Sequence, residues 1–179
     1  MIHFGQVSRE EFLAQYWQKK PLLIKHALPN FISPLSPDEL AGLSCEEEFE
    51  SRVVKGSTQR NDWSLENGPF QDDYFESVPQ NDWTLLIQGV DKHIIEVYKL
   101  IEEFEFIPRW RFDDVMISFA AKGGSVGPHY DHYDVFLLQG FGRRQWQISS
   151  IDCSPNNYVK NSQLRIMESF QEEDTFIAE

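Results

Sequence analysis

The spacing of hydrophobic residues changes along the chain from a helical pattern to a strand-like one. Two helices are predicted in the first 43 residues. The first has Ser8 as its N-cap with a glutamate three residues later, and its hydrophobic positions recur at helical spacing until shortly before Pro21. The second begins at Ser36, with Pro37 at its first position. A short apolar run between them, residues 21–25, is predicted to form a strand.

From residue 52 onward most of the predicted elements are strands. Six segments alternate or form short apolar runs, as strands do: 52–55, 63–66, 83–90, 111–121, 133–139 and 144–149. One amphipathic helix interrupts them over residues 92–104, with a stripe formed by Ile94, Ile95, Tyr98, Ile101 and Phe104. The predicted class is therefore α+β and mainly β. Its parts are a helical and mixed region over residues 1–109 and a β core over residues 110–179.

The charge of the chain is strongly acidic. Its 179 residues include 16 Lys and Arg against 29 Asp and Glu, a net charge of −13. Nucleic-acid binding draws its affinity from a basic surface, so direct nucleic-acid binding is disfavoured, whereas basic proteins suit this charge as partners. The acidic run at residues 46–50 is predicted to be solvated surface.

Nothing in the sequence predicts a membrane segment or a secretory signal. No run approaches the roughly 20 apolar residues that a membrane span needs, and the first ten residues lack the basic and apolar parts of a signal peptide. Cys45 and Cys153 belong to no CxxC pair, which indicates reduced thiols. We therefore expect a soluble, cytoplasmic protein.

The richest chemical signal is the triplet His129-Tyr130-Asp131. Residues two apart on a strand point to the same face, so the imidazole and the carboxylate would lie side by side. One histidine and one carboxylate are two of the three protein ligands of the facial triad that holds non-haem Fe(II). A polar turn or a structural His–Asp pair is an alternative interpretation of the same spacing.

The context of this triplet favours the metal interpretation. A glycine-rich loop at residues 122–128 precedes it, as at the mouth of a barrel. Further on, Arg144 shares one strand face with Trp146 and Ile148, so this guanidinium is predicted to point inward. A buried guanidinium needs an anionic partner, and a small dicarboxylate bound beside iron would supply one. The alternative is a surface arginine pair on a solvated hairpin.

Four segments together closely resemble the bacterial JmjC-type ribosomal oxygenases. They are WQKKPL at 17–22, DDVMISF at 113–119, GPHYDHYDVF at 127–136 and QGFGRRQW at 139–146. The resemblance implies a cupin, or double-stranded β-helix (jelly-roll), core. It also implies an Fe(II)- and 2-oxoglutarate-dependent dioxygenase that hydroxylates an arginine of a basic large-subunit ribosomal protein.

The same resemblance assigns roles to individual residues. His129 and Asp131 match the first two iron ligands, and Arg144 matches the residue that binds the distal carboxylate of 2-oxoglutarate. Met116 and Ser118 match positions on the strand that lines the co-substrate pocket. The alternation agrees, because Asp114 shares one face with these two residues. The other face carries more apolar residues: Val115, Ile117 and Phe119.

One departure from the family pattern concerns the third iron ligand, a distal histidine after a Pro-Gly-Asp turn. No histidine follows His132 in these 179 residues, and His132, next to Asp131, would face away from it. The resemblance thus implies a C-terminally truncated form without the late barrel strands and the C-terminal domains. We expect such a chain to be inactive. The alternative is a non-catalytic cupin-fold binding module without a functional iron site.

Two further expectations follow from this pattern. A cupin isomerase or a sugar-binding cupin is disfavoured, because such sites usually hold more strand histidines. An incomplete barrel leaves strand edges and apolar faces without cover, so a homo-oligomer is expected. Residues 162–179 are predicted to be the exchanged or rearranged segment.

Overall fold

The computed structural model describes residues 2–150, 154, 156–160 and 164–179. Six β-strands form within them: β1 Ser51–Lys55, β2 Ser64–Asn67, β3 Trp83–Ile87, β4 Ile117–Ala120, β5 Arg144–Ile148 and β6 Asp174–Ala178. The α-helices are α1 Arg9–Glu11, α2 Pro37–Leu43, α3 Tyr74–Ser77 and α4 Ile95–Tyr98. A π-helical turn spans Phe12–Tyr16, and 3₁₀ turns span Val90–Lys92, Lys99–Phe104 and Arg109–Arg111.

The strands form two antiparallel sheets. The larger sheet has the order β2-β1-β3-β4, and the smaller one pairs β5 with β6. Leu85 in β3 lies opposite Val53 of β1 and Phe119 of β4, while Trp146 of β5 lies opposite Phe176 of β6. Few and short helices accompany these sheets, so the predicted α+β, mainly β class is confirmed.

The hydrophobic core lies on the four-stranded sheet. All five residues of β3 are buried, as the continuous apolar run of a central strand requires. The core cluster also includes Leu40 of α2 and Val53 of β1, together with Val90 and Val97 beyond β3. Segment 83–97 therefore supplies much of the packing that holds the sheet in place.

The helix caps predicted from the sequence are present. The Ser8 hydroxyl accepts a hydrogen bond of 3.0 Å from the backbone N–H three residues later. Ser36 and Glu39 form a complete capping box at α2. The first helical segment ends at Tyr16, earlier than Pro21 suggests, because the chain turns at Gln18 with φ of 58°. No helix in the described part of the chain is long and apolar enough to cross a membrane.

Four predicted strands were wrong in whole or in part. Residues 21–25 and 133–139 form no strand, and only the second half of segment 111–121 does so, as β4. Segment 83–90 forms a strand only as far as Ile87. An apolar or alternating segment becomes a strand only where a neighbouring strand takes up its backbone hydrogen bonds. Conversely, β6 was not predicted, and it forms because β5 offers such a partner.

The prediction of one regular amphipathic helix over residues 92–104, with a single buried stripe, was also wrong. The segment breaks into α4 and the 3₁₀ turn Lys99–Phe104. Val97 and Ile101 are buried, whereas Ile95 and Tyr98 are 56% and 40% exposed. The tighter 3₁₀ turn changes the angular spacing of the side chains, so a regular α-helical stripe does not describe it.

Other expectations meet the structure only in part. The acidic run 46–50 is exposed as predicted, except that Phe49 is buried in the core. Cys45 is a free thiol, while Cys153 lies outside the described residues. Residues 162 and 163, the first two of the segment predicted to exchange or rearrange, also lie outside them. β3 lies before residue 110 and β4 after it, and the two strands pair in one sheet. The division into residues 1–109 and 110–179 stays a prediction.

Candidate active site

A loop that requires glycine leads from β4 to the candidate metal ligands. At Gly124 a Cβ atom would lie 2.1 Å from the carbonyl oxygen of Trp83. At Gly127 φ is 78° and a Cβ atom would lie 2.9 Å from the Ile166 side chain. The Pro128 carbonyl then accepts a hydrogen bond of 2.8 Å from the Met167 amide. The loop therefore holds the next residues against a buried segment.

His129 and Asp131 lie side by side at the end of this loop. His129 Nδ1 is 2.9 Å from the carbonyl oxygen of Gly127, and since a carbonyl only accepts, Nδ1 is the donor. The lone pair of the neutral ring then resides on Nε2, which lies 3.8 Å from Asp131 Oδ2. The two side chains are 39% and 41% exposed, so both are accessible to a ligand. His132 packs its ring edge-on against Tyr130.

This donor set fits two positions of a divalent metal site. An imidazole nitrogen and a carboxylate oxygen are the ligand types of Fe(II) centres, and a backbone carbonyl on the other ring nitrogen is the usual support for such a histidine. Within the described residues, no three His, Cys, Asp or Glu side chains lie close enough together to hold a metal ion. The pair thus supplies two donors, and a third donor must come from elsewhere.

Three carboxylates, one of them Asp131, act on the phenol of Tyr133. The negative charge of Asp131 raises the pKa of the Tyr133 phenol, with smaller contributions from burial and from the charges of Asp113 and Asp114. Tyr133 itself is 68% exposed. The segment that carries the candidate ligands therefore lies near the residues that lead into β4.

Arg144 lies in β5 and is half-buried. Residues 144, 146 and 148 are half-buried and residues 145 and 147 are exposed, which confirms the predicted alternation. Burial lowers the pKa of the Arg144 guanidinium, whose carbon lies 5.6 Å from the centre of the Trp146 ring. The neighbouring Arg143 is exposed and pairs with the Glu179 carboxylate at 3.2 Å. A half-buried guanidinium is well suited to an external carboxylate.

Met116 and Ser118 lie on the exposed face at the start of β4. Met116 is 42% exposed and Ser118 is exposed, whereas residues 115, 117 and 119 pack against the core. This alternation agrees with the sequence prediction. Ser118 is therefore accessible in the edge strand of the larger sheet, and Met116 is accessible just before that strand.

Asp114, on the same face, has a structural role at the junction of β3 and β4. Its Oδ2 atom accepts hydrogen bonds from Gln88 Nε2 at 2.8 Å and from the Gly89 amide at 2.7 Å. Asp91 makes the complementary contact, because its Oδ1 accepts from the Val115 amide at 2.7 Å. The two carboxylates fix the start of β4 against the turn that follows β3.

The predicted site residues are thus only partly brought together. His129 and Asp131 are neighbours, while Arg144 belongs to the smaller sheet. Ser118 belongs to the edge strand of the larger sheet, and Met116 directly precedes that strand. Among the described residues, no hydrogen bond or ion pair joins Arg144 to either candidate ligand. Their roles as metal and co-substrate ligands stay predictions.

The sequence did not reveal a contact between the N-terminal region and the ligand segment. Gln18 Nε2 donates to Asp134 Oδ2 at 2.9 Å, and the Trp17 ring stacks on Phe136 with the ring centres 5.6 Å apart. All four residues belong to segments that carry the family resemblance. A separation of more than 100 residues, however, gives no local signal of contact.

Comparison with known proteins identifies related sequences. Residues 99–179 match the JmjC domain family. The chain is 46% identical over 138 residues to the ribosomal protein uL16 3-hydroxylase of Escherichia coli K12, an alignment that covers 77% of this chain and 36% of that protein. It is 38% identical over 166 residues to a probable ribosomal oxygenase of Haemophilus influenzae, covering 93% of this chain and 41% of the relative.

Solved structures show the same similarity in three dimensions. The X-ray structure of E. coli YcfD matches 100% of this chain and 47% of its own, with a TM-score of 0.89 and 36% identity. The structure of the ribosomal oxygenase YcfD from E. coli with cobalt and 2-oxoglutarate matches 98% of this chain and 44% of its own, with a TM-score of 0.82 and 36% identity. The chain therefore spans less than half the length of these relatives.

Proposed function

Because the chain belongs to the JmjC-type ribosomal oxygenases, we propose that it provides part of the active site of an Fe(II)- and 2-oxoglutarate-dependent protein hydroxylase. The observation that carries this proposal is the His129–Asp131 pair, with Nε2 and Oδ2 3.8 Å apart and both side chains accessible. The cobalt and 2-oxoglutarate in the related E. coli structure support it. Divalent cobalt and iron are both first-row metals, and an N/O ligand site can bind either of them.

Each candidate residue has a distinct task in this proposal. His129 would bind the metal through Nε2, while its Nδ1–H, held by the Gly127 carbonyl, keeps the ring in place. Asp131 would supply the carboxylate ligand. Arg144 would bind the distal carboxylate of 2-oxoglutarate through paired hydrogen bonds, with Met116 and Ser118 along the pocket. When bound, the metal and co-substrate supply the oxidising chemistry for C–H hydroxylation, and the protein positions the reactants.

The proposed substrate is an arginine side chain of a basic large-subunit ribosomal protein. The name of the E. coli relative states 3-hydroxylation of ribosomal protein uL16. A net charge of −13 would attract a basic partner and raise the association rate. A ribosomal protein substrate would be met in the cytoplasm, so cytoplasmic localisation is part of this proposal.

We also propose that the 179-residue polypeptide alone does not turn over 2-oxoglutarate. Two protein donors make a poor iron site, and the described residues offer no third donor beside His129 and Asp131. On this view, the polypeptide binds divalent metal weakly and acquires activity only with an additional ligand.

A chimaera tests the proposed reaction. Residues 1–179 are joined to the part of the E. coli uL16 3-hydroxylase that follows the aligned region, and succinate formation is measured with Fe(II), 2-oxoglutarate and uL16. We expect turnover by the chimaera and none by the 179-residue polypeptide. Mass spectrometry of uL16 should locate one added oxygen atom on an arginine and none on a histidine.

Three substitutions in the chimaera assign the ligands. His129→Ala and Asp131→Ala should each abolish succinate formation, whereas the adjacent His132→Ala should retain it, since that ring packs against Tyr130. A folded chimaera that binds Mn²⁺ but forms no succinate would refute the proposed reaction. Turnover that survives both ligand substitutions would refute the proposed site.

A further inference from the structure

Two adjacent residues near the N-terminus, Trp17 and Gln18, contact the segment that follows the candidate ligands. The Gln18 side-chain amide donates to Asp134 Oδ2 at 2.9 Å. The Trp17 ring lies nearly parallel to the Phe136 ring, at an angle of 13° with centres 5.6 Å apart. These contacts hold the ligand segment at two points shortly after Asp131.

The backbone around this pair is fixed by its own hydrogen bonds. The Trp17 amide donates to the Phe12 carbonyl at 2.9 Å, and the next two amides after Gln18 both donate to the Tyr16 carbonyl. Gln18 itself has a φ of 58°, a left-handed conformation that is unfavourable for a residue with a Cβ atom. Such conformations persist where the surrounding structure imposes them, and they are frequent near functional sites.

Phe136 is the one residue of segment 131–136 that is not exposed. Besides Trp17 it contacts three other rings, with centre distances between 4.9 and 6.3 Å: Phe12, Phe104 and Phe106. On the other side of the ligand pair, the Pro128 carbonyl is anchored to Met167. The exposed His129–Asp131 pair is therefore held between two anchors, one before it and one after it.

We propose that Trp17 and Gln18 are positioning residues that set the orientation of Asp131 relative to His129 and hence the affinity of the site for a divalent metal. This inference rests on the proposed function, because it takes His129 and Asp131 as ligands. Loss of an outer partner of a metal ligand typically lowers affinity by 10–100-fold. The Gln18 contact acts three residues from Asp131, so we expect the lower end, a loss of about tenfold for Gln18→Ala.

The test measures Mn²⁺ binding to the 179-residue polypeptide. The metal alone is titrated against protein with ¹⁵N-labelled histidine, and paramagnetic broadening of the His129 ring signals reports the dissociation constant. Gln18→Ala and Asp134→Ala should each weaken Mn²⁺ binding. If both act through the one contact, the double variant should bind Mn²⁺ with about the same affinity as the single variant that binds it less tightly. Gln15→Ala, an exposed glutamine in the same region, is the matched control and should bind as the parent does.

A conservative variant separates positioning from charge and from folding. Asp134→Asn removes the negative charge but keeps an oxygen that accepts from Gln18, so it should bind Mn²⁺ more tightly than Asp134→Ala. The proposal is overturned if Gln18→Ala weakens binding no more than Gln15→Ala does, or if the Asn and Ala variants bind alike. A parent polypeptide without selective broadening at His129 would instead overturn the proposed metal site, and the positioning role with it.

Discussion

Replacing Asp114 by alanine should weaken the junction between β3 and β4 by a measurable amount. Its Oδ2 atom accepts hydrogen bonds of 2.8 Å from Gln88 and 2.7 Å from the Gly89 amide. Hydrogen bonds to a charged group contribute about 1.5–3 kcal/mol each. Both bonds share one partly exposed oxygen, so we expect a total loss of about 2 kcal/mol in the free energy of unfolding for Asp114→Ala.

Part of this loss arises at the donor that remains. Gly89 has a φ of 63°, and the turn that requires this conformation directs its amide toward Asp114. Without the carboxylate, this partly buried N–H loses its partner. Asp114→Asn keeps an accepting oxygen without the charge, so its loss should be smaller, about 1 kcal/mol.

Urea unfolding of the 179-residue polypeptide, followed by tryptophan fluorescence, measures these losses. The matched control is Asp113→Ala, at the exposed neighbouring position. It should change the free energy of unfolding by less than about 0.5 kcal/mol, as is usual for surface substitutions. The dependence on urea should keep its slope, because the same surface becomes exposed. If Asp114→Ala destabilises the protein no more than Asp113→Ala, the carboxylate does not hold the junction.

Three further predictions concern the co-substrate, pH and assembly. In the chimaera with Mn²⁺, Arg144→Ala should weaken 2-oxoglutarate binding by about 1.5–3 kcal/mol in calorimetry, and unchanged affinity would remove Arg144 from the site. Glu66 has its pKa lowered by hydrogen bonds from Lys55 and Tyr74. Its stabilisation is therefore present above the ordinary glutamate pKa of about 4.3 and is lost as the pH falls through the lower folded value. Glu66→Gln should flatten this acid dependence, by less than about 1 kcal/mol because Glu66 is partly exposed; an unchanged profile would contradict the pair's role. Light scattering of the 179-residue polypeptide should show association that decreases in Leu137→Ser, since this side chain is 56% exposed; a strict monomer would refute this.

The parts of the fold that local patterns determine were predictable. The caps at Ser8 and Ser36 depend on residues three apart, and β1, β2 and β5 follow from short runs of alternating or apolar residues. The alternation along residues 144–148 also placed Arg144 on the covered face of β5. The adjacency of His129 and Asp131 was another short-range expectation that the structure shares.

The remaining features depend on distant partners. Segment 133–139 has the composition of a strand, but no strand pairs with it in the described part of the chain. β6 became a strand through β5, more than 25 residues earlier in the sequence. Gln18 contacts Asp134, and Trp17 stacks on Phe136. The partners in each pair lie more than 100 residues apart, so no local window of the sequence contains both of them.

The aromatic cluster around Phe136 has a consequence for the order of folding. It joins Phe4 and Phe12, near the N-terminus, to Phe106 and Phe136, so its formation closes a very long loop. Contacts between distant residues form slowly, because chain entropy is lost before they stabilise the structure. We therefore expect the sheet to form first and the ligand segment to dock late. Stopped-flow measurements should show that Phe136→Leu accelerates unfolding and leaves the refolding rate nearly unchanged; slowed refolding would place this cluster in the folding nucleus.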